Sequence, residues 1–188
     1  MLLRVISQLG RMVSMQTNRK KTQWRVYKPN KGSSGAASRL EMKVVEDERT
    51  GANGPFTVRD VQLFWVASPQ TGTDSNGNAS FSWSQKEDNK SVTLKLGETD
   101  VGEVLAVLNN EKEEAGQTGG KFSGIYHQNS KGSTTFSFKK SAGKGYYIRL
   151  AKKTKSGVLS EVKHTLSLGE AQILKVILER AVIEKYQW

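Results

Sequence analysis

Residues 121–166 read KFSGIYHQNSKGSTTFSFKKSAGKGYYIRLAKKTKSGVLSEVKHTL and run straight into SLGEAQILKVILERAVIEKY at 167–186. The clusters NSKG, SAGKG and KKTKSG are turn signals. Between them lie alternating β-branched and aromatic residues, which predicts strands over 121–127, 133–140, 145–152 and 158–167. Alternation puts Phe136 and Phe138 on one face, and separates Tyr147 and Arg149 from Tyr146, Ile148 and Leu150. Ser167 and Glu170 have the S-x-x-E spacing of a capping box, so a helix follows over 170–186. Its apolar surface is wider than the ~100° stripe that a surface helix needs. Either that helix is deeply buried in its own domain or it is shared with a second subunit, and the patch size favours sharing.

The same order of elements is predicted upstream. Strands are expected at 23–29, 39–46, 60–67 and 79–84, the last continuing after a turn as 91–96. Val101, Val104, Leu105 and Leu108 then recur at helical spacing, with Thr99 as the expected N-cap and Asp100 at the positive end of the helix dipole. The chain is therefore α+β: two antiparallel four-stranded sheets, each followed by a helix. Residues 23–188 are read as one domain with halves at about 23–110 and 121–188, preceded by a flexible basic arm, 1–22.

Charge is unevenly spread in these 188 residues, whose net charge is +11. Residues 1–40 carry nine Lys/Arg and no acid, whereas 41–120 carry seven against fourteen acids. Residues 121–166 carry ten against one, and 167–188 three against three. Two basic regions flanking an acidic middle fit a surface for a polyanion. There is no cysteine, which excludes disulfides, thiolate metal sites and cysteine nucleophiles. No stretch approaches the ~18–20 apolar residues that cross a bilayer, so no membrane partner is expected. The sequence MLLRVISQLGRMVSMQTNRKK is basic and acid-free like an organellar transit peptide, but Met12 or Met15 could be the start, or the arm could be a phosphate-binding tail. The compartment stays open with it: organellar if 1–22 is a transit peptide, cytoplasmic or nucleoid-associated in a prokaryote or virus.

Cations neutralise a phosphate backbone, and aromatic side chains on strands stack on unpaired bases for ~1–3 kcal/mol each. The aromatic candidates are Trp24, Tyr27, Trp83, Tyr126, Phe136, Phe138 and Tyr147. The basic candidates are Arg25, Lys28, Lys31, Lys86, Lys131, Lys139, Lys140, Arg149, Lys152, Lys153 and Lys163. In an alternating strand about half of the aromatics should instead fill the core. His127 and His164 lack any nucleophile elbow, H-E-x-x-H or phosphate loop around them, so no enzyme, metal or cofactor is implied.

Four segments resemble the Whirly family of single-stranded-DNA-binding proteins, whose related architectures include the positive cofactor coactivators and the kinetoplastid guide-RNA-binding proteins. VYKPNKGSSGAASRL (26–40) is similar to the family's Y-K-G-K-A-A-L strand pair with an insertion, with Lys28, Lys31, Gly32, Ala36 and Ala37 in its positions. FSWSQK (81–86) is similar to its aromatic-x-Trp-x-x-Lys strand through Trp83 and Lys86. YHQNSKG (126–132) matches at Tyr126, His127, Lys131 and Gly132, although Gln128-Asn129 replaces the family's Asp-Pro. GKGYYIRLAKKTKSG (143–157) and VKHTLSLGEAQILKVIL (162–178) resemble the closing strands and helix. The resemblance implies a non-catalytic protein that coats single-stranded DNA in replication, recombination, repair or transcription, with little sequence preference. It also implies a homo-oligomer, a tetramer rather than a dimer, joined through the 170–186 helix. An RNA-annealing chaperone is the alternative, because stacking and phosphate pairing serve both polymers.

Overall fold

The computed structural model describes residues 18–32, 34–51, 53–83, 90–117, 123–143 and 145–186. The first half begins with strands β1 (Asn18–Lys28), β2 (Ala36–Gly51) and β3 (Gly54–Thr73), paired antiparallel in that order. Short strands β4 (Ala79–Phe81) and β5 (Val92–Leu96) both pair with β3, at its residues 70–73 and 63–67 respectively. They fill one strand position in two pieces, so this sheet has five strands where four were expected. Helix α1 follows (Glu98–Leu108). The second half is a meander of β6 (Ile125–Asn129), β7 (Gly132–Ser141), β8 (Gly145–Thr154) and β9 (Leu159–Leu166), closed by α2 (Leu168–Tyr186).

Several details differ from the sequence expectation. β1 begins at Asn18, inside the expected arm 1–22, whose first 17 residues lie outside the described residues. β6 starts at Ile125 where a strand was expected from 121, residues 121 and 122 being outside the described residues. The β2–β3 hairpin is far longer than 39–46 and 60–67, because its polar tip stays in register down to Gly51 opposite Gly54. Backbone pairing sets that length, and hydropathy does not report it. The α1 cap is Gly97 and not Thr99: the Asp100 carboxylate reaches back to accept the Gly97 N–H at 2.7 Å. At α2 the capping box forms as expected, with Ser167 N–H donating to Glu170 Oε2 at 2.7 Å and Glu170 N–H to Ser167 Oγ at 3.3 Å.

The core lies between the two sheets and is continuous across both halves. Trp65 of the first sheet meets Phe136 of the second with ring centroids 5.0 Å apart, and Phe138 stacks on Tyr146 at 5.3 Å. Helix α1 adds Val101, Val104, Val107 and Leu108, and α2 adds Ala171, Leu174, Leu178 and Ala181. Each Leu or Val so buried contributes ~1.5–3 kcal/mol. Gly145 makes the tight entry to β8: its φ is +96°, and a Cβ there would lie 2.0 Å from the Leu166 carbonyl oxygen. Burying one face of each sheet turns the other face outward.

Candidate nucleic-acid interface

On the first sheet, alternation directs Arg25 and Tyr27 of β1 outward, opposite Arg39 and Ala37 of β2. Tyr27 is 46% exposed and forms an aromatic cluster with Phe81 and Trp83, at centroid distances of 5.6 and 6.3 Å. The Arg39 guanidinium lies 4.8 Å over the Trp83 ring and ion-pairs with the buried Glu41 at 2.7 Å. Lys43 caps the Phe64 ring at 4.5 Å. Arg25 donates to Gln23 Oε1 at 2.6 Å, a neutral acceptor that leaves its charge uncompensated by that bond. Cations thus lie over two aromatic rings, Trp83 and Phe64, an arrangement with cation–π attraction.

The outer face of the second sheet is more strongly basic. Register places Ser137 beside Arg149 and Lys139 beside Tyr147 across β7 and β8, with Lys163 of β9 beyond Arg149. Lys139 Nζ is 5.4 Å from the centre of the Tyr147 ring. An open polar cavity of about 420 Å³ lies at this patch, lined by Ser123, Ser137, Ser141, Lys139, Lys140, Tyr147 and Arg149 together with Glu114. Small hydroxyl side chains leave room above the sheet while offering donors, and the flanking cations supply charge. Tyr126 is also exposed on this face, bonded to Gln128 at 3.3 Å.

Several expected site residues lie elsewhere. Phe136 and Phe138 are fully buried core residues, because their face of β7 packs against the first sheet. Trp24 is half-buried against the same core, on the inward parity of β1. Lys28, also inward, is bound to Glu170 at 2.6 Å and ties β1 to the start of α2. Burial pushes the Glu170 carboxyl up, but the hydrogen bonds from Lys28 and Ser167 outweigh it and hold the group below its ordinary range. Lys140 projects from the inward parity of β7 and pairs with Glu113 at 2.8 Å. Lys152 and Lys153 are exposed near the end of β8, on opposite faces, and Lys31 and Lys131 are exposed in turns. Lys86 is outside the described residues.

Arg39, Phe81 and Glu161 were not among the expected residues. Alternation in FSW pairs Phe81 with Trp83, so that signal was present; Arg39 needed the β1–β2 register. Both histidines have side-chain partners. His127 Nε2 bonds to Asp100 at 2.9 Å, and His164 is buried against Ser38. Among the described residues, no group of three or more His, Asp or Glu side chains is placed to hold a metal ion, and no helix is long and apolar enough to cross a membrane.

No protein-family model and no curated protein matches this sequence. Solved structures do match. WHY1 from Arabidopsis thaliana superposes with a TM-score of 0.66 at 13% identity, over 88% of this chain and 85% of that one. WHY3 from Arabidopsis thaliana gives 0.66 at 15% identity, over 89% of each chain. The trypanosome MRP1/MRP2 structures give 0.53 at 16% identity, over 89% of this chain and 95% of that one. At such identities the likeness is one of architecture: this chain has a Whirly-like α+β fold.

Proposed function

We propose that this protein binds single-stranded nucleic acid, with DNA as the preferred polymer, and acts without catalysis in replication, recombination, repair or transcription. The observation that carries this reading is the pairing of exposed or half-buried aromatics with cations on both outer faces. Tyr27, Phe81 and Trp83 lie with Arg25 and Arg39 on the first, and Tyr147 lies with Lys139, Arg149, Lys153 and Lys163 on the second. Stacking asks for a π-face and not for a base identity, so little sequence preference follows. A duplex hides its base faces, so single strands are favoured over double. The Whirly-like fold supports the same reading, as does the exposed apolar side of α2, through which a homo-tetramer assembles in this proposal.

The test is titration with oligo-dT, the matching duplex and an equal-length RNA at two salt concentrations. Tighter binding of oligo-dT than of duplex is expected, weakening with salt by a slope of ~0.7 per phosphate neutralised. Equal affinity for single and double strands at moderate salt would instead indicate a basic surface for an acidic protein. Effective competition by RNA against labelled oligo-dT would move the assignment to RNA.

A further inference from the structure

Residues 121–166 contain one acid among ten bases, and that acid, Glu161, lies against Arg149. Arg149 Nε and Nη2 both donate to Glu161 Oε2 at 2.7 Å, while Glu161 Oε1 is 3.4 Å from Lys163 Nζ. One edge of the guanidinium is thus committed to a carboxylate, although the side chain also lines the polar cavity above Ser137, Lys139 and Tyr147. Both partners keep about a third of their side-chain surface in solvent, 33% for Arg149 and 30% for Glu161. A pair this exposed is weak enough to exchange. The Arg149 hydrogen bond holds the Glu161 carboxyl below its ordinary range, so the group remains ionised through neutral pH.

We infer that Glu161 is an internal competitor for phosphate at Arg149. When a strand enters the cavity, a phosphodiester oxygen takes the guanidinium edge that Glu161 holds, and the carboxylate moves to Lys163 or to water. Carboxylate and phosphodiester each share one negative charge between two oxygens, so the guanidinium edge accepts either. Lys139 and the hydroxyls of Ser137 and Ser141 stay available to the same phosphate group or its neighbour. The effect of Glu161 is to hold the affinity below what the basic face would otherwise reach, and to keep Arg149 extended along the sheet when no strand is bound. This inference rests on the proposed function and concerns the regulation of that site.

The experiment measures oligo-dT affinity for the full chain as wild type, Glu161→Gln, Arg149→Ala and the double variant, with thermal melting to confirm folding. Glu161→Gln should bind about two- to fivefold tighter, the range set by an exposed ion pair. That gain should vanish in the Arg149→Ala background, which shows that Glu161 acts through Arg149. An equal gain in both backgrounds would overturn the inference, because Glu161 would then act only as diffuse negative charge. Unchanged or weaker binding by Glu161→Gln would also overturn it, the latter by making Glu161 an orienting partner. If the wild type itself fails to bind oligonucleotide, the proposed function falls, and the inference with it; binding by the wild type with no gain in Glu161→Gln sinks the inference alone.

Discussion

Ser38 Oγ on β2 lies 2.6 Å from His164 Nε2 on β9, a buried hydrogen bond that joins the two sheets through their shared core. Trp65 Nε1–H donates to the same Ser38 oxygen at 3.1 Å, and His164 Nδ1 is 3.3 Å from the Thr165 carbonyl oxygen. A carbonyl only accepts, so Nδ1 carries the proton, and the Ser38 hydroxyl donates to Nε2. Ser38→Ala removes both bonds at once and leaves a buried indole N–H and a buried imidazole nitrogen unpaired. We expect a loss of ~1–3 kcal/mol for each such group that finds no water, read as a lower urea midpoint at unchanged m-value.

The same network makes stability depend on pH. Burial pushes the His164 imidazole below its ordinary value of 6.5, outweighing the opposing bond to Thr165, while the Lys28 and Glu170 charges act in opposite directions. The unfolded chain therefore binds a proton more readily than the folded one, and unfolding free energy rises with pH. Its contribution is complete above about 6.5, falls as pH drops below that value, and levels off once the folded-state imidazole has itself been protonated. His164→Asn should flatten urea midpoints measured between about pH 7 and about pH 5, a window above the carboxylate range. An unaltered pH profile in that variant would place the titration elsewhere.

The alternation of KFSG through KHTL made the second sheet readable, since turn clusters bound each strand and its inward and outward residues differ in kind. Ser167 and Glu170 gave the start of α2 for the same reason, a local rule satisfied by local residues. The first sheet was less legible. The two segments of its fourth strand position, 79–84 and 91–96, were expected, but its hairpin tip is polar, so pairing across the sheet decides a length that composition does not report. Among candidate site residues, charge and aromaticity located the region, but register separated Tyr147 from Phe136 and Lys139 from Lys140. Lys28 illustrates the remaining difficulty: its partner Glu170 is 142 residues away, and no local pattern links them.

That separation can be measured. Tyr147→Ala should weaken oligo-dT binding by ~1–3 kcal/mol, the range for one stacked base, with little change in melting temperature. Phe136→Ala should instead cost ~3–5 kcal/mol of stability, because it empties a fully buried ring site. Replacing Lys139, Lys153 and Lys163 together by Ala should lower affinity and reduce the salt slope by ~0.7 for each phosphate no longer neutralised. Lys28→Ala, which breaks the inward pair with Glu170, should leave the slope as it was. A slope that responds to Lys28 and not to the other three would put the strand away from the outer face of the second sheet.

The outward side of α2 makes a separate prediction. Ile173 and Val176 are 52% and 63% exposed, and Ile183 continues the line one heptad beyond Val176. Together with Arg180, which pairs with Glu184 on its own helix, these residues repeat at three and four positions, the seam spacing of packed helices. The buried stripe of Ala171, Leu174, Leu178 and Ala181 faces away from them, so the seam is not needed to hold α2 on its own domain. Ile173→Glu with Val176→Glu should therefore leave the circular dichroism spectrum and monomer stability nearly unchanged while dissociating the proposed assembly. Two side chains worth ~1.5–3 kcal/mol each imply a dissociation constant raised more than about a hundredfold per interface. Light scattering at micromolar concentration should read a monomer for the variant and a larger species for the wild type. A monomeric wild type would remove α2 from the proposed assembly, and an unchanged mass in the variant would move the interface to another face.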